Sequence, residues 1–346
     1  MPLRSVESAR RRSLLVRVVL ASIVLALGVG GLTACGASGS SSSSGGAPDG
    51  GAFPVTVTHK YGHTVVPAPP KRVVALGDLD QDALLALGVI PVATSGSPIV
   101  GTGSTSALPW LQGRFGGQTP ATVKTDPGLG GVPIETVRPD LILAVSTGYS
   151  PGLSPYRYGI DQTIAPTIAG PAGSTAGIPV PWQDYTRLIG QAVGKPVEAE
   201  RLINGLNAMI ARTASRYPRL RGKTAACLQD KPKGPGLLDP ERPRSPCQQF
   251  LAGLGMRSVP ALDQAAGTDT ADIVTPEQLA GPARPDVVVL DGFSEGARDA
   301  ARYRLPAGLP VVILDDDEAA AVGGPSVLSL PSALDTVPPK LARAIG

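Results

Sequence analysis

The sequence predicts an α/β protein: two Rossmann-like lobes with central parallel sheets, joined by one long α-helix. Three observations predict it. One is an amphipathic run of 22 residues, Pro196 to Tyr217, with α/β sequence on each side of it. The second is a cadence of apolar strand, short helix and apolar strand on both sides, which reads as βα units of a parallel sheet. The third is a phrase that occurs twice. Pro133-Ile134-Glu135 leads to Arg138-Pro139-Asp140 and an apolar strand; Pro276-Glu277 leads to Arg284-Pro285-Asp286 and another. The two Arg-Pro-Asp triplets lie 146 residues apart on opposite sides of the long run, which points to lobes of like architecture.

In the long run, Val197, Ala199, Leu202, Ile203, Leu206, Met209, Ile210, Thr213 and Tyr217 recur every three or four residues, the period of one helix face. Pro196 suits the first helical position and Pro218 stops the run. Glu198 and Glu200 sit at the positive end of the helix dipole, Arg212 and Arg216 at the negative end. At about 1.5 Å per residue the run spans roughly 33 Å, enough to cross a small domain. On its own it is equally one helix of a single large domain; the repeated phrase favours the two-lobe reading.

Composition sets the bounds. The chain has 346 residues, room for two domains, and its 42% hydrophobic and 17% charged residues are ordinary for a soluble globular protein. Residues 1–34 read as a lipoprotein signal peptide. Arg10, Arg11 and Arg12 form a positive start, Leu14 to Gly31 is apolar apart from Arg17, and Leu32-Thr33-Ala34-Cys35 reads as a lipobox. In bacterial lipoproteins such a Cys is lipidated and becomes the first mature residue, so Cys35 is the expected anchor. Residues 35–53 follow as a Ser/Gly-rich tether that holds a body off a membrane face. The expected location is extracytoplasmic, lipid-anchored to the cell membrane. Removing the five Arg and one Glu of residues 1–34 leaves 26 basic and 27 acidic residues. No polybasic block survives, and nucleic acid is not an expected partner. Cys227 and Cys247 are then left in an oxidising compartment. A disulfide between them would close a loop of about 20 residues and be worth ~3 kcal/mol; two unpaired buried thiols are the alternative. No His lies nearby to make a metal site with them.

The N-terminal lobe is expected over 54–181. Val55 to Thr58 alternates as a strand and turns through Lys60 to His63 into Thr64-Val65-Val66. Arg72 to Leu76 reads as a buried parallel strand. Asp80 to Gly88 follows as a helix with acids in its first turn and Gly at its stop, and Val89 to Ala93 is the next strand. Ser95 to Gly131 is a long Gly/Ser/Pro-rich loop that carries Trp110 and Arg114. A short helix opens at Pro133, and a strand covers Arg138 to Ala144. Tyr149 to Tyr158 reads as a second loop, and Ile160 to Thr167 as a short helix. The linking helices cover 182–217. The C-terminal lobe, 218–346, has strands at Arg221 to Leu228, Pro285 to Leu290 and Leu309 to Leu314. Its helices are expected at Cys247 to Gly255, from Thr275, and at Pro331 to Ile345, with a Pro-rich loop over Gln229 to Cys247.

The order of these pieces resembles a known family, the substrate-binding lipoproteins of ABC importers for ferric siderophores, haem and cobalamin. The matching stretches are the lipobox, residues 55–93, IETVRPDLILAV (134–145), the helical pair Trp182 to Arg216, RYPRLRGK (216–223), TPEQLAGPARPDVVVL (275–290) and SVLSLPSALDTVPP (326–339). The likeness is to the actinobacterial ferric-siderophore branch. It implies the class III periplasmic-binding-protein arrangement of two lobes on one backbone helix, with a ferric siderophore held between the lobes and no resident cofactor. It also implies an ABC permease with its ATPase as partners, docked through a surface Glu on each lobe. Glu135 and Glu277 match those positions, although each alone is an ordinary first-turn Glu.

A chelate of that class needs aromatic walls, cations or donors on loops after the strands. The candidates are Asp78 (with Asp80), Trp110, Arg114, Tyr149, Tyr156, Arg157 and Tyr158 in the first lobe. In the second they are Gln229, Lys231, Phe293 and Arg298. Asp315 to Glu318, four consecutive acids, reads as a solvated acidic loop, with a hard-cation site as the alternative. His59 and His63 both lie in the first hairpin and are poor axial haem ligands; Tyr ligation of haem stays open. Neither His belongs to a nucleophile–base pattern and no phosphate loop appears, so an enzyme is not expected. The other readings kept are a haem or cobalamin receptor and a non-transport scaffold lipoprotein.

Overall fold

The computed structural model separates the chain into two units, Met1–Gly46 and Ala47–Gly346. The structure describes residues 52–95, 108–124, 130–146, 153–175, 178–230, 238–240, 245–265, 274–281, 284–291, 303 and 305–346, all within the second unit. The signal segment, Cys35 and most of the tether lie outside the described residues.

A hairpin, β1 (Val55–His59) and β2 (Gly62–Val66), precedes the first lobe's sheet. That sheet is built from β3 (Val73–Ala75), β4 (Ala93–Thr94), β5 (Ala121–Thr122), β6 (Leu141–Ala144) and β7 (Thr167–Ala169). Its order is β5-β4-β3-β6-β7, and every pairing is parallel. Helix α1 (Asp80–Ala86) follows β3 and α2 (Pro155–Asp161) precedes β7. Helices α3 (Trp182–Ala192) and α4 (Pro196–Arg216) then lead to the second lobe. There β8 (Ala225–Asp230) is followed by β9 (Leu238–Pro240), α5 (Pro246–Gly253), α6 (Pro260–Ala265) and α7 (Pro276–Ala280). The chain closes with β10 (Val287–Asp291), β11 (Val311–Ile313), α8 (Asp316–Gly323) and α9 (Ser329–Ile345). The second sheet runs β11-β10-β8-β9. Its β8, β10 and β11 are parallel, as expected, and β9 pairs antiparallel to β8 at the edge, which corrects the expectation that Gln229 to Cys247 is all loop.

The repeated phrase has a structural cause. Asp140 accepts the backbone N–H groups of Lys71 and Arg72, each at 2.8 Å, and so ties the start of β6 to the start of β3. Asp286 accepts the N–H of Thr224 at 2.7 Å and its hydroxyl at 2.9 Å, tying β10 to β8 in the same way. Each Arg-Pro-Asp is a staple between neighbouring strands at their amino ends. The likeness reaches further than the sequence reading took it. Helices α1 and α5 both end in Leu-Gly with the glycine left-handed, at Gly88 and Gly255. The residue after each glycine donates back, Val89 to Leu84 and Met256 to Leu251, which is the Schellman stop.

Each sheet puts alternate residues on opposite faces. Val73, Leu141, Ala225 and Val289 face a core shared with Ile189, Ile203 and Leu334, so one apolar core runs through both lobes and the linking helices. The other faces have cores of their own, around Val74 and Ile142 in one lobe and Val288 and Leu290 in the other. Of the expected face of α4, Ala199, Ile203 and Leu206 are buried, whereas Val197 is 67% exposed.

Cys227 and Cys247 form a disulfide, with Cα atoms 6.3 Å apart. It ties the first turn of α5 to the middle of β8. Replacing both cysteines by Ala should lower stability by ~3 kcal/mol in urea unfolding, the chain-entropy value for a loop of about 20 residues. A loss under about 1 kcal/mol would contradict that.

Two expectations are corrected here. The stretch Tyr149 to Tyr158 is not all loop. Ser154 caps a helix by accepting the Arg157 N–H, and Pro155 fits its first position, so α2 takes in Tyr156, Arg157 and Tyr158. The acidic run is not a solvated loop. Asp315 and Glu318 form a capping box at the start of α8, and Lys340 Nζ reaches Glu318 Oε2 at 2.5 Å and Asp315 Oδ2 at 3.4 Å.

Candidate ligand-binding site

In the first lobe the chain order reverses between β3 and β6, and open α/β sheets bind ligands beyond the strand ends at such a point. Here the crevice is occupied by the chain itself. Asp80, fully buried at the start of α1, accepts the N–H groups of Gly77 (3.1 Å), Val145 (2.9 Å) and Ser146 (2.7 Å). Ser146 Oγ in turn accepts the Leu79 N–H at 2.8 Å. Gly77 is required, because a Cβ there would lie 2.5 Å from the Asp80 carboxylate. Burial raises the Asp80 carboxyl above the ordinary range, opposed by these N–H groups. An internal carboxylate thus fills the place where folds with this strand order take an anionic group. Counting back eight residues from Gly88 and from Gly255 gives Asp80 and Cys247. In each lobe the helix start is tied to its sheet at that position, by a carboxylate in one and a disulfide in the other.

Two residues along α1, Asp82 Oδ2 accepts the Trp110 indole N–H at 3.0 Å and the Ser326 hydroxyl at 2.6 Å. Tyr185 on α3 donates its hydroxyl to Pro325 O at 2.7 Å. Both contacts join the first lobe and its linking helix to the turn between α8 and α9. Burial pushes the Asp82 carboxyl up to about 6, opposed by the Ser326 and Trp110 hydrogen bonds and the Arg114 charge. Tyr185 is raised well above its ordinary value by burial, and further by Asp82 and Asp80.

Those of the expected site residues that the structure describes are dispersed. Asp78 is buried just past β3, at the carboxyl end of its sheet, and Gln229 lies near the end of β8, in register with Asp291 of β10. Trp110 is only 8% exposed and forms part of the shared core instead of an open aromatic wall. Arg114 is exposed and its Nε donates to Trp110 O at 2.8 Å. Tyr156 is 80% exposed on α2. Arg157 Nε is 2.9 Å from the buried Asp161. Tyr158 turns toward the hairpin: its ring packs on His59 and Tyr61, and its hydroxyl lies 3.4 Å from Thr64 Oγ1. With His63, Thr64, Gln162 and Thr163 it lines a groove of about 470 Å³ beside the amino end of β7, away from Asp78. Tyr149, Lys231, Phe293 and Arg298 lie outside the described residues. Glu135 and Glu277 occupy like places, each exposed in a helical turn just ahead of β6 or β10. The Glu277 carboxyl is held below its ordinary value by its own backbone N–H and the Thr275 hydroxyl.

Sequence reasoning missed Asp82 and Ser326, whose partners are 28 and 244 residues away. It also held that no Gly-x-Ser-x-Gly is present, which is corrected here: two such pentapeptides occur, Gly148 to Gly152 (GYSPG) and Gly292 to Gly296 (GFSEG). That pattern marks a hydrolase nucleophile, but here it comes once per lobe, after β6 and after β10, as a further part of the internal repeat. The imidazoles lie elsewhere: His59 is 2% exposed in the hairpin and bonded to Thr64 at 2.9 Å. Among the described residues no group of three or more His, Cys, Asp or Glu could hold a metal ion, and no helix is long and apolar enough to cross a membrane.

The architecture is that of the class III periplasmic binding proteins, two α/β lobes with a long connecting helix. Solved structures share it. The periplasmic solute binding protein from Mycobacterium smegmatis is 29% identical, with a TM-score of 0.69 over 84% of this chain and 99% of that one. PiaA from Streptococcus pneumoniae, solved in complex with ferrichrome, is 22% identical, with a TM-score of 0.63 over 84% and 98%. SirA from Staphylococcus aureus, complexed with staphyloferrin B, is 19% identical, with a TM-score of 0.57 over 83% and 98%. The first is a solute binding protein, and PiaA is an iron uptake ABC transporter substrate-binding protein. No protein-family model matches the sequence, and no curated protein sequence matches it.

Proposed function

We propose that this protein is the extracytoplasmic solute-binding component of an ABC importer, anchored through lipid on Cys35, that captures a ferric siderophore between its lobes. The observation that carries the reading is the likeness in fold, over more than four fifths of the chain, to proteins solved with siderophores bound. The site chemistry is in keeping with it. The anion crevice of the first lobe is filled by Asp80, which suits a bulky chelate held by side chains on loops better than a phosphorylated ligand. The repeated Gly-aromatic-Ser-x-Gly supplies Tyr149 after β6 and Phe293 after β10, one aromatic residue per lobe for the faces of such a chelate. Glu135 and Glu277 then present one carboxylate on each lobe to a permease.

The test uses one residue from each lobe. Tyr149→Ala and Phe293→Ala should each weaken binding of the ferric siderophore about tenfold or more, with the unfolding midpoint unchanged. Unchanged affinity in both variants would overturn the placement of the ligand between the lobes.

A further inference from the structure

We infer that Asp82 is a positioning residue that bolts the two lobes together through Ser326 and so sets the separation a solute must fit. The inference deepens the solute-binding reading and rests on it. Three observations lead to it. A single carboxylate oxygen takes one donor from each side of the molecule, Trp110 from the first lobe and Ser326 from the second. The Ser326 side is built to present its hydroxyl. Ser326 Oγ also accepts the Leu328 and Ser329 N–H groups at 3.1 and 2.9 Å, while Ser329 Oγ accepts the Ser326 N–H at 2.8 Å and donates to Gly324 O at 2.8 Å. Finally the junction is dry: Asp82, Ser326, Ser329 and Tyr185 are each at most 1% exposed.

Among the described residues the carboxylate has no direct counter-ion there. Asp80 lies on its own helix, Arg114 acts from a distance, and Tyr185 faces it from α3. The turn Gly324 to Ser329 brings no titratable side chain. Burying a carboxylate on neutral donors disfavours its charged form. Parting the lobes at this turn would let water reach Asp82 and relieve that cost. A proton binds more tightly when the junction is closed, so by linkage protonation favours the closed junction and deprotonation favours parting. The bolt should therefore hold in mild acid and slacken as pH rises through about 6. The span from the ordinary 3.8 to about 6 limits the change in the opening equilibrium to about a hundredfold.

The test needs no ligand. Amide hydrogen exchange is followed by mass spectrometry on the whole chain in detergent, and rates are corrected for the intrinsic effect of pH. Ser326→Ala should speed exchange about tenfold or more in α1, which lies in the other lobe, and leave β10 unchanged. In the unaltered protein, protection of α1 should fall between about pH 4 and pH 6.5. Asp82→Asn keeps an acceptor but does not titrate, so it should abolish that pH dependence. Unchanged α1 exchange in Ser326→Ala overturns the bolt, as does an equal rise in β10, which would mean a general loss of stability. If Ser326→Ala fails to fold, the Asp82→Asn pH profile decides alone, and a retained pH dependence overturns the inference. A failed siderophore titration would leave these results untouched, so the two readings fail separately.

Discussion

Asp80→Ala should destabilise the protein by about 3 kcal/mol or more, because it strands the buried backbone N–H groups of Val145 and Ser146 and the half-buried one of Gly77. The figure is a net one. The carboxylate's own burial is unfavourable, as its raised pKa shows, and losing it offsets part of the cost. The same substitution leaves a cradle of the size and polarity of a small carboxylate. Added formate should therefore restore part of the lost melting temperature in Asp80→Ala and do nothing for the unaltered protein. Thermal unfolding across a formate series measures both. A variant that loses under about 1 kcal/mol, or one that formate does not help, would mean that the crevice is not held by this carboxylate.

The second large effect is on transport. Replacing Glu135 and Glu277 together by Ala should leave ligand affinity and stability unchanged and abolish uptake into cells that carry the permease. Both side chains are exposed, so the cost to the fold should be within about 0.5 kcal/mol. Each single variant should fall between, since docking with one carboxylate on each lobe loses half of its charge complementarity at a time. Uptake of iron-55 chelate reads the transport side and equilibrium dialysis the affinity side. Lowered affinity in the double variant, or undiminished uptake, would remove the docking role.

How much of this was legible in the sequence follows from the range of the interactions. The long helix, the hairpin and the strands after each Arg-Pro-Asp rest on periodicity and turn residues close in sequence, and they emerged with boundaries shifted by a few residues. Glycine stops and Ser-Pro starts are local too; the start of α2 at Ser154-Pro155 was there to be read. The polar junctions were not. Asp80 and Asp82 have the look of first-turn acids that serve a helix dipole, and nothing near them tells of Ser146, Trp110 or Ser326. Trp110 sits in a Gly-rich stretch that reads as an exposed wall, and only the tertiary fold reveals that its N–H belongs to Asp82. The four acids from Asp315 were misread because the cation that faces them, Lys340, arrives from the last helix. The disulfide could be named but not chosen over free thiols, since pairing depends on the α5 start reaching β8.

The central claim is that a ferric siderophore is the solute. It is tested most directly by calorimetric titration of the protein with ferric hydroxamate, catecholate and carboxylate siderophores, haemin and cobalamin. The expected result is one-to-one saturable binding of one iron–siderophore class, at about micromolar affinity or tighter, with no heat from cobalamin. Binding of haemin alone, or of none of the five, would contradict it.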